Sequence, residues 1–186
     1  MSPIAARSYE KIEPEDLQSF AEVAWNKLLE VFERAPVASL YKDRLLLLAL
    51  GQGGALHFET SEHGLKDIDI WAFFSAGPSR PFPARARWTA DFGPSRFGRH
   101  PDDTGFTGRR MDILGRSIDN LPGEAPEVSV RRWLNGWSRS AVALRKKPMF
   151  VIFPPLRLES ASELSTERRP IDHRQIRQQT AINSIA

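Results

Sequence analysis

The sequence predicts an α/β (α+β) fold, a small mixed β-sheet packed by helices, and three observations predict it. Residues 14–35 place Leu17, Phe20, Ala21, Ala24, Leu28, Val31, Phe32 and Ala35 at spacings of three and four, the mark of one helical face. Short apolar runs at 45–50, 67–74 and 109–114 have strand length and are bounded by glycine, proline or charge. A second helical stripe follows at 126–147, carried by Val130, Trp133, Leu134, Trp137, Ala141 and Leu144.

Composition sets the outer limits. At 186 residues the chain suits one domain with extensions: an arm at 1–13, a domain at 14–158 and a polar tail at 159–186. Apolar residues make up 41% and charged residues 26%, the balance of a folded chain rather than a disordered one. The longest apolar run, 45–50, has six residues, whereas a membrane helix needs about 18. The first residues have no apolar signal core. With no cysteine, disulfides, thiolate nucleophiles and cysteine zinc sites are excluded, and the expected compartment is the cytoplasm.

Each element has its own signal. Pro14 suits a first helical turn, Glu15 and Asp16 complement the positive helix end, and Pro36 stops the helix. Residues 44–50 fit a buried strand or a short helix, and the following Gly51-Gln-Gly-Gly54 favours a strand entering a tight turn. A short helix is then expected from Ala55. Residues 67–74, Asp-Ile-Asp-Ile-Trp-Ala-Phe-Phe, are the clearest strand. A strand at 87–92 would turn Trp88, Ala90 and Phe92 to the core. Met111 and Ile113 share one face of the 109–114 strand, Asp112 the other. Residues 126–147 read as one helix with both Trp133 and Trp137 in the core, and 149–153 as a last strand.

Charge is unevenly spread. Net charge is only +3, but the proline-rich segment 76–110 carries seven arginines against three aspartates. Such a segment suits either phosphate binding or an ordinary solvated loop.

Three carboxylates stand where charge is expensive. Asp67 and Asp69 flank Ile68, and Asp112 lies between Met111 and Ile113. Amid strand apolars, an acid needs a partner or a cation. Alternation puts Asp67 and Asp69 on one face, and an adjacent 109–114 strand would bring Asp112 to them. Hard oxygens of this kind suit Mg²⁺ or Mn²⁺ with phosphates completing the shell. Two such ions could activate an attacking oxygen and stabilise the leaving one. The glycine turn 51–54 offers backbone N–H groups to a phosphate at a helix start. It is neither a Walker loop nor a dinucleotide fingerprint. The competing explanation is structural: Asp67 pairs with an arginine and Asp69 lies on a strand edge. His57 and His63 are possible substrate contacts or structural histidines.

Gly53-Gly54, the Asp67-Ile-Asp-Ile run twelve residues on, and Met111-Asp112-Ile113 together resemble the nucleotidyltransferase superfamily that includes DNA polymerase beta. Within it, GGALHF…DIDIWAFFS looks most like minimal and abortive-infection toxin-type members, and the longer string GQGGALHF…GLKDIDIW also resembles a group of uncharacterised bacterial proteins. The resemblance covers residues 45–118. It implies metal ligation and catalysis by Asp67, Asp69 and Asp112, with Asp112 helping to activate the attacking hydroxyl. It implies nucleotide binding by Gln52, Gly53 and Gly54, and Arg109 and Arg110 are the cations placed to reach a triphosphate. Gly54 stands where the family commonly has serine, Gly51-Gln52 offers a rival register, and the insertion before Asp112 is long.

The expected function is therefore metal-dependent transfer of a nucleoside monophosphate from NTP to a hydroxyl on protein, RNA or a small molecule. The alternative is a non-catalytic nucleotidyltransferase fold serving as a binding or regulatory protein, for example in a toxin–antitoxin pair.

Overall fold

A computed structural model describes residues 3–77, 81–82 and 87–153. The class is the expected one: a five-stranded mixed sheet with helices packed on it. The long helix α1 (Pro14–Arg34) and the one-turn α2 (Pro36–Ser39) precede strand β1 (Leu45–Leu50). Helix α3 (Gln52–Thr60) leads to β2 (Ile68–Ser75), followed by β3 (Arg87–Asp91) and β4 (Arg110–Ile118). Helices α4 (Pro126–Leu134) and α5 (Arg139–Leu144) come before the final strand β5 (Phe150–Phe153).

Strand order is β3-β4-β2-β1-β5. β2 and β4 run parallel at the centre, and the β1–β2, β1–β5 and β3–β4 pairs are antiparallel. Side-chain alternation divides the sheet into two faces. Leu48, Leu50, Ile68, Ile70, Ala72, Phe74, Met111 and Ile113 join the apolar face of α1 in the larger core. Leu47, Ala49, Trp71, Phe73 and Ile118 face the other way, onto Val130 and Leu144 of α4 and α5. At the start of α1, Pro14 occupies the first turn and Asp16 accepts a hydrogen bond from the Glu13 amide at 2.7 Å. Among the described residues no helix is long and apolar enough to cross a membrane.

Four expectations change. Residues 3–13 are no loose arm: Ser8 bridges to Leu65, Ile4 to Arg99, and Ile12 is buried. Their order comes from backbone bonds to distant segments, which leave no local periodicity. The strand expected at 109–114 runs on to Ile118, because it pairs with the whole of β2. The single helix expected at 126–147 is two helices, broken at Asn135–Ser138. The break shifts the helical phase, so Trp133 packs on Phe73 with ring centroids 5.5 Å apart while Trp137 is 91% exposed. The polar tail at 159–186 lies outside the described residues.

Two features of the packing lend themselves to measurement. Gly115 pairs with Ala72, and a Cβ there would lie 1.8 Å from Cε1 of Phe82. That ring is buried and stacked on Phe74 at 4.3 Å, so it has little room to retreat. Gly115→Ala should lower the stability measured by urea denaturation by about 1–3 kcal/mol. Glu124, before α4, accepts from Arg132 Nη2 at 2.7 Å and Ser129 Oγ at 2.5 Å. Arg132 and Ser129 together hold its carboxyl down to about 2. A depressed folded-state value adds stability above the unfolded carboxylate range, lost as pH falls toward 2. Glu124→Gln should therefore destabilise the protein at pH 7, and its difference from wild type in urea midpoint should shrink steadily from pH 4.5 downward.

Candidate functional site

The site lies at the end of the sheet where β1 finishes and β2 and β4 begin. β1 ends at Leu50, and the Gly51 amide donates to the Asp69 carbonyl at 2.9 Å, tying the turn to β2. A Cβ on Gly51 would come within 2.9 Å of Trp71 Cδ1, so glycine allows the turn to lie against that indole. The helix starts earlier than expected, at Gln52 rather than Ala55. Its entry conformation falls on a non-glycine residue: Gln52 has φ +52°. Backbone held there costs an L-residue roughly 1–2 kcal/mol, and such strain clusters at functional sites. A Cβ on Gly53 would meet the His63 imidazole in ordinary contact, 3.7 Å from Nε2. Gly54 is buried against Leu50 and Leu65, so it serves helix packing and does not line the cleft.

The parallel β2–β4 register sets the acids. Asp69 lies directly beside Asp112, and Ile68 beside Met111. Both carboxylates share the sheet face opposite the larger core; Asp69 lines the cleft, whereas Asp112 is fully buried behind it. One step before Asp69 and Asp112 on that face stand Asp67 and Arg110. Arg110 Nη2 meets Asp67 at 3.3 Å, Nη1 meets Asp103 at 3.0 Å, and Nε meets Asp112 at 3.4 Å. One guanidinium thus bridges three carboxylates, and Asp103 joins a cluster the sequence did not assign it to.

A cleft of about 420 Å³ opens above this floor, lined by Arg7, Gln52, Gly53, His63, Lys66, Asp67, Asp69, Leu114 and Lys147. Its chemistry is mixed: two aspartates, three permanent cations and an imidazole. Burial, then the nearby charges of Arg7 and Lys147, hold the His63 pKa below its usual value. Arg7 is fixed by donating to the carbonyls of His63 at 3.2 Å and Gly64 at 2.9 Å. Sequence reasoning missed Arg7, Lys66 and Lys147, which reach the cleft from three distant segments. Their one shared signal is positive charge.

Other expected contacts are spent elsewhere. Arg109 is fully buried and donates to the carbonyls of Phe97 (2.5 Å), Lys66 (3.0 Å) and Ala5 (3.3 Å), so it clamps loops together rather than facing the cleft. His57 is buried between the Glu10 carbonyl and the Gly64 amide and is structural. The arginine-rich segment offers no open anion patch at its described side chains. Arg96 pairs with Asp16, Arg99 donates to the Asp103 carbonyl, and Arg109 and Arg110 are held as above.

Among the described residues, no three His, Asp or Glu side chains converge as a metal-ligand group. Asp67 is drawn to Arg110, leaving Asp69 and Asp112 as the in-register pair. Of that pair only Asp69 lines the cleft, and one carboxylate fits Mg²⁺, which commonly takes one or two and completes its shell with water and substrate phosphates.

Arg110→Ala would remove the cation that lies beside the buried Asp112 and pairs with Asp67 and Asp103. Removing one partner of such a cluster costs on the order of 3 kcal/mol. The loss should appear in urea denaturation at neutral pH, and adding Asp112→Asn should recover part of it; equal losses in the single and double variants would rule out the charge account. No family model, curated protein or solved structure matches this chain.

Proposed function

We propose that the protein transfers a nucleoside monophosphate from an NTP to a hydroxyl acceptor, using Mg²⁺ or Mn²⁺ held at Asp69, the acid of the in-register pair that lines the cleft. The single observation that carries this reading is the in-register placement of Asp69 and Asp112 on adjacent strands, beneath a cleft with a helix start on one side. When bound, the ion would neutralise charge on the triphosphate oxygens. The chain's own residues supply the rest. Amides in the first turn of α3 lack intrahelical partners and suit a phosphate, and Gly53 leaves room for close approach. Arg7, Lys66 and Lys147 add positive charge around the same space. Asp69, like Asp67, lines the cleft within reach of reactants, and Asp112 lies buried behind Asp69. Positioning and charge stabilisation of this sort carry most of the work in phosphoryl-type transfer.

Arg110 favours a second reading. Its guanidinium already lies within ion-pair distance of Asp67, Asp103 and Asp112, as expected of a non-catalytic nucleotidyltransferase-like module, such as a toxin–antitoxin partner, with no use for a cation.

The two readings part in one experiment. Wild-type protein and Asp69→Asn are incubated with each labelled NTP, Mg²⁺ or Mn²⁺, and either lysate or total RNA. The enzyme reading expects label transfer by wild type and none by the variant. Melting temperature should also rise with metal and NTP, by an amount equivalent to about 2.7 kcal/mol at a hundredfold excess over Kd. No transfer and no metal-dependent shift at millimolar ion would leave the binding-module reading.

A further inference from the structure

We propose that the α4–α5 segment is a docking surface for single-stranded RNA, with Trp137 as the stacking platform. Residues 131–147 contain six cations, Arg131, Arg132, Arg139, Arg145, Lys146 and Lys147, and all six are exposed. No aspartate or glutamate occurs anywhere in 128–158. Arg132 is tied to Glu124 at 2.7 Å; the other five lie along one continuous stretch of surface chain. In their midst, at the break between α4 and α5, Trp137 is 91% exposed. A bare indole is unfavourable in water; here it lies in sequence between Arg132 and Arg139, with the Arg145 guanidinium 3.5 Å from the Asn135 and Gly136 carbonyls just before it.

The surface also leads somewhere. A groove of about 420 Å³ has Leu47, Val130, Leu134 and Val151 among its lining, with Arg131 and Lys147 beside them. One acid, Glu127, also lines the groove against Arg131, Arg145 and Lys147, and Lys147 lines both this groove and the candidate cleft, so the two adjoin. Asn135 lines the groove two residues before Trp137. Cations that follow a phosphate backbone and an aromatic that stacks an unpaired base are the two parts of sequence-tolerant single-strand binding. A duplex keeps its bases stacked on each other and cannot use the indole. RNA is favoured over DNA because every ribose carries a hydroxyl that the cleft could take as acceptor; that choice rests on the transfer reading, whereas the surface itself does not.

Fluorescence anisotropy with labelled (rU)12 tests the proposal, using (dT)12, an RNA duplex of equal length and anionic phosphatidylserine vesicles as comparisons. Wild type should bind (rU)12 at low salt, with affinity falling linearly in log–log salt plots. Trp137→Ala, at an exposed position, should keep the fold by circular dichroism and weaken binding about tenfold. Arg131→Glu with Arg139→Glu should weaken it further and flatten the salt slope. Absent binding by folded protein, an unchanged Trp137→Ala affinity, equal affinity for the duplex, a preference for (dT)12, or binding to vesicles alone would each overturn it. RNA binding without label transfer sinks the cleft reading only. Transfer to a small acceptor without RNA binding sinks the surface only.

Discussion

The parallel pairing of β2 with β4 is the constraint on which the rest of the molecule depends. Eight consecutive residue pairs are aligned in that register, from Ile68 beside Met111 to Ser75 beside Ile118. It places Ile68, Ile70, Met111 and Ile113 together under α1, and it places Asp69 beside Asp112 on the opposite face. Slipping the register by one residue would turn one strand's acids into the core and its apolar side chains out of it. Burial of the larger core therefore specifies the acidic pair, and the site is held by the same free energy that holds the fold.

The acids impose an electrostatic problem at that end of the sheet, and Arg110 is the internal answer. A guanidinium presents five N–H donors in a planar fork, which lets one side chain meet Asp67, Asp103 and Asp112 at once. Arg109, its neighbour in sequence, points to the other face of the strand and secures three carbonyls instead. Strand alternation alone separates these two roles. The result is an acidic cluster in which Asp67, Asp103 and Asp112 share one protein cation, and Asp67 and Asp69 line the cleft with Lys66 and Lys147.

Positive charge is distributed by the same logic of neighbours. In the loop before β4, Arg96 pairs with Asp16, Arg99 donates to the Asp103 carbonyl, and the Asp103 carboxylate pairs with Arg110. Around the α4–α5 break no acid is close in sequence, and only Arg132 reaches the Glu124 network. The 131–147 stretch is also the more densely basic, six cations and no acid in 17 residues against seven arginines and three aspartates in 35, and it carries its charge next to an exposed tryptophan.

Patterns that depend on neighbours a few residues away were legible without coordinates. The apolar stripe of α1, the strands around Asp69 and Asp112, the glycine turn and the outward phase of the acids all follow from helical or strand periodicity. Features made by distant segments were not. Nothing near Arg110 in sequence tells that it will be surrounded by Asp67 and Asp103, and nothing near Arg109 announces the Ala5 and Phe97 carbonyls. Arg7 and Lys147, 140 positions apart in the chain, meet at one cleft only after the sheet closes. Trp137 shows the boundary most plainly. Its spacing from Trp133 matches a helical face, but the helix breaks at Asn135–Ser138, the phase is lost and the indole turns to water. Sequence alone determined which residues share a face wherever one helix or strand runs unbroken, because backbone geometry sets that period. Which faces meet, and which charges are neutralised by the meeting, tertiary packing alone decided.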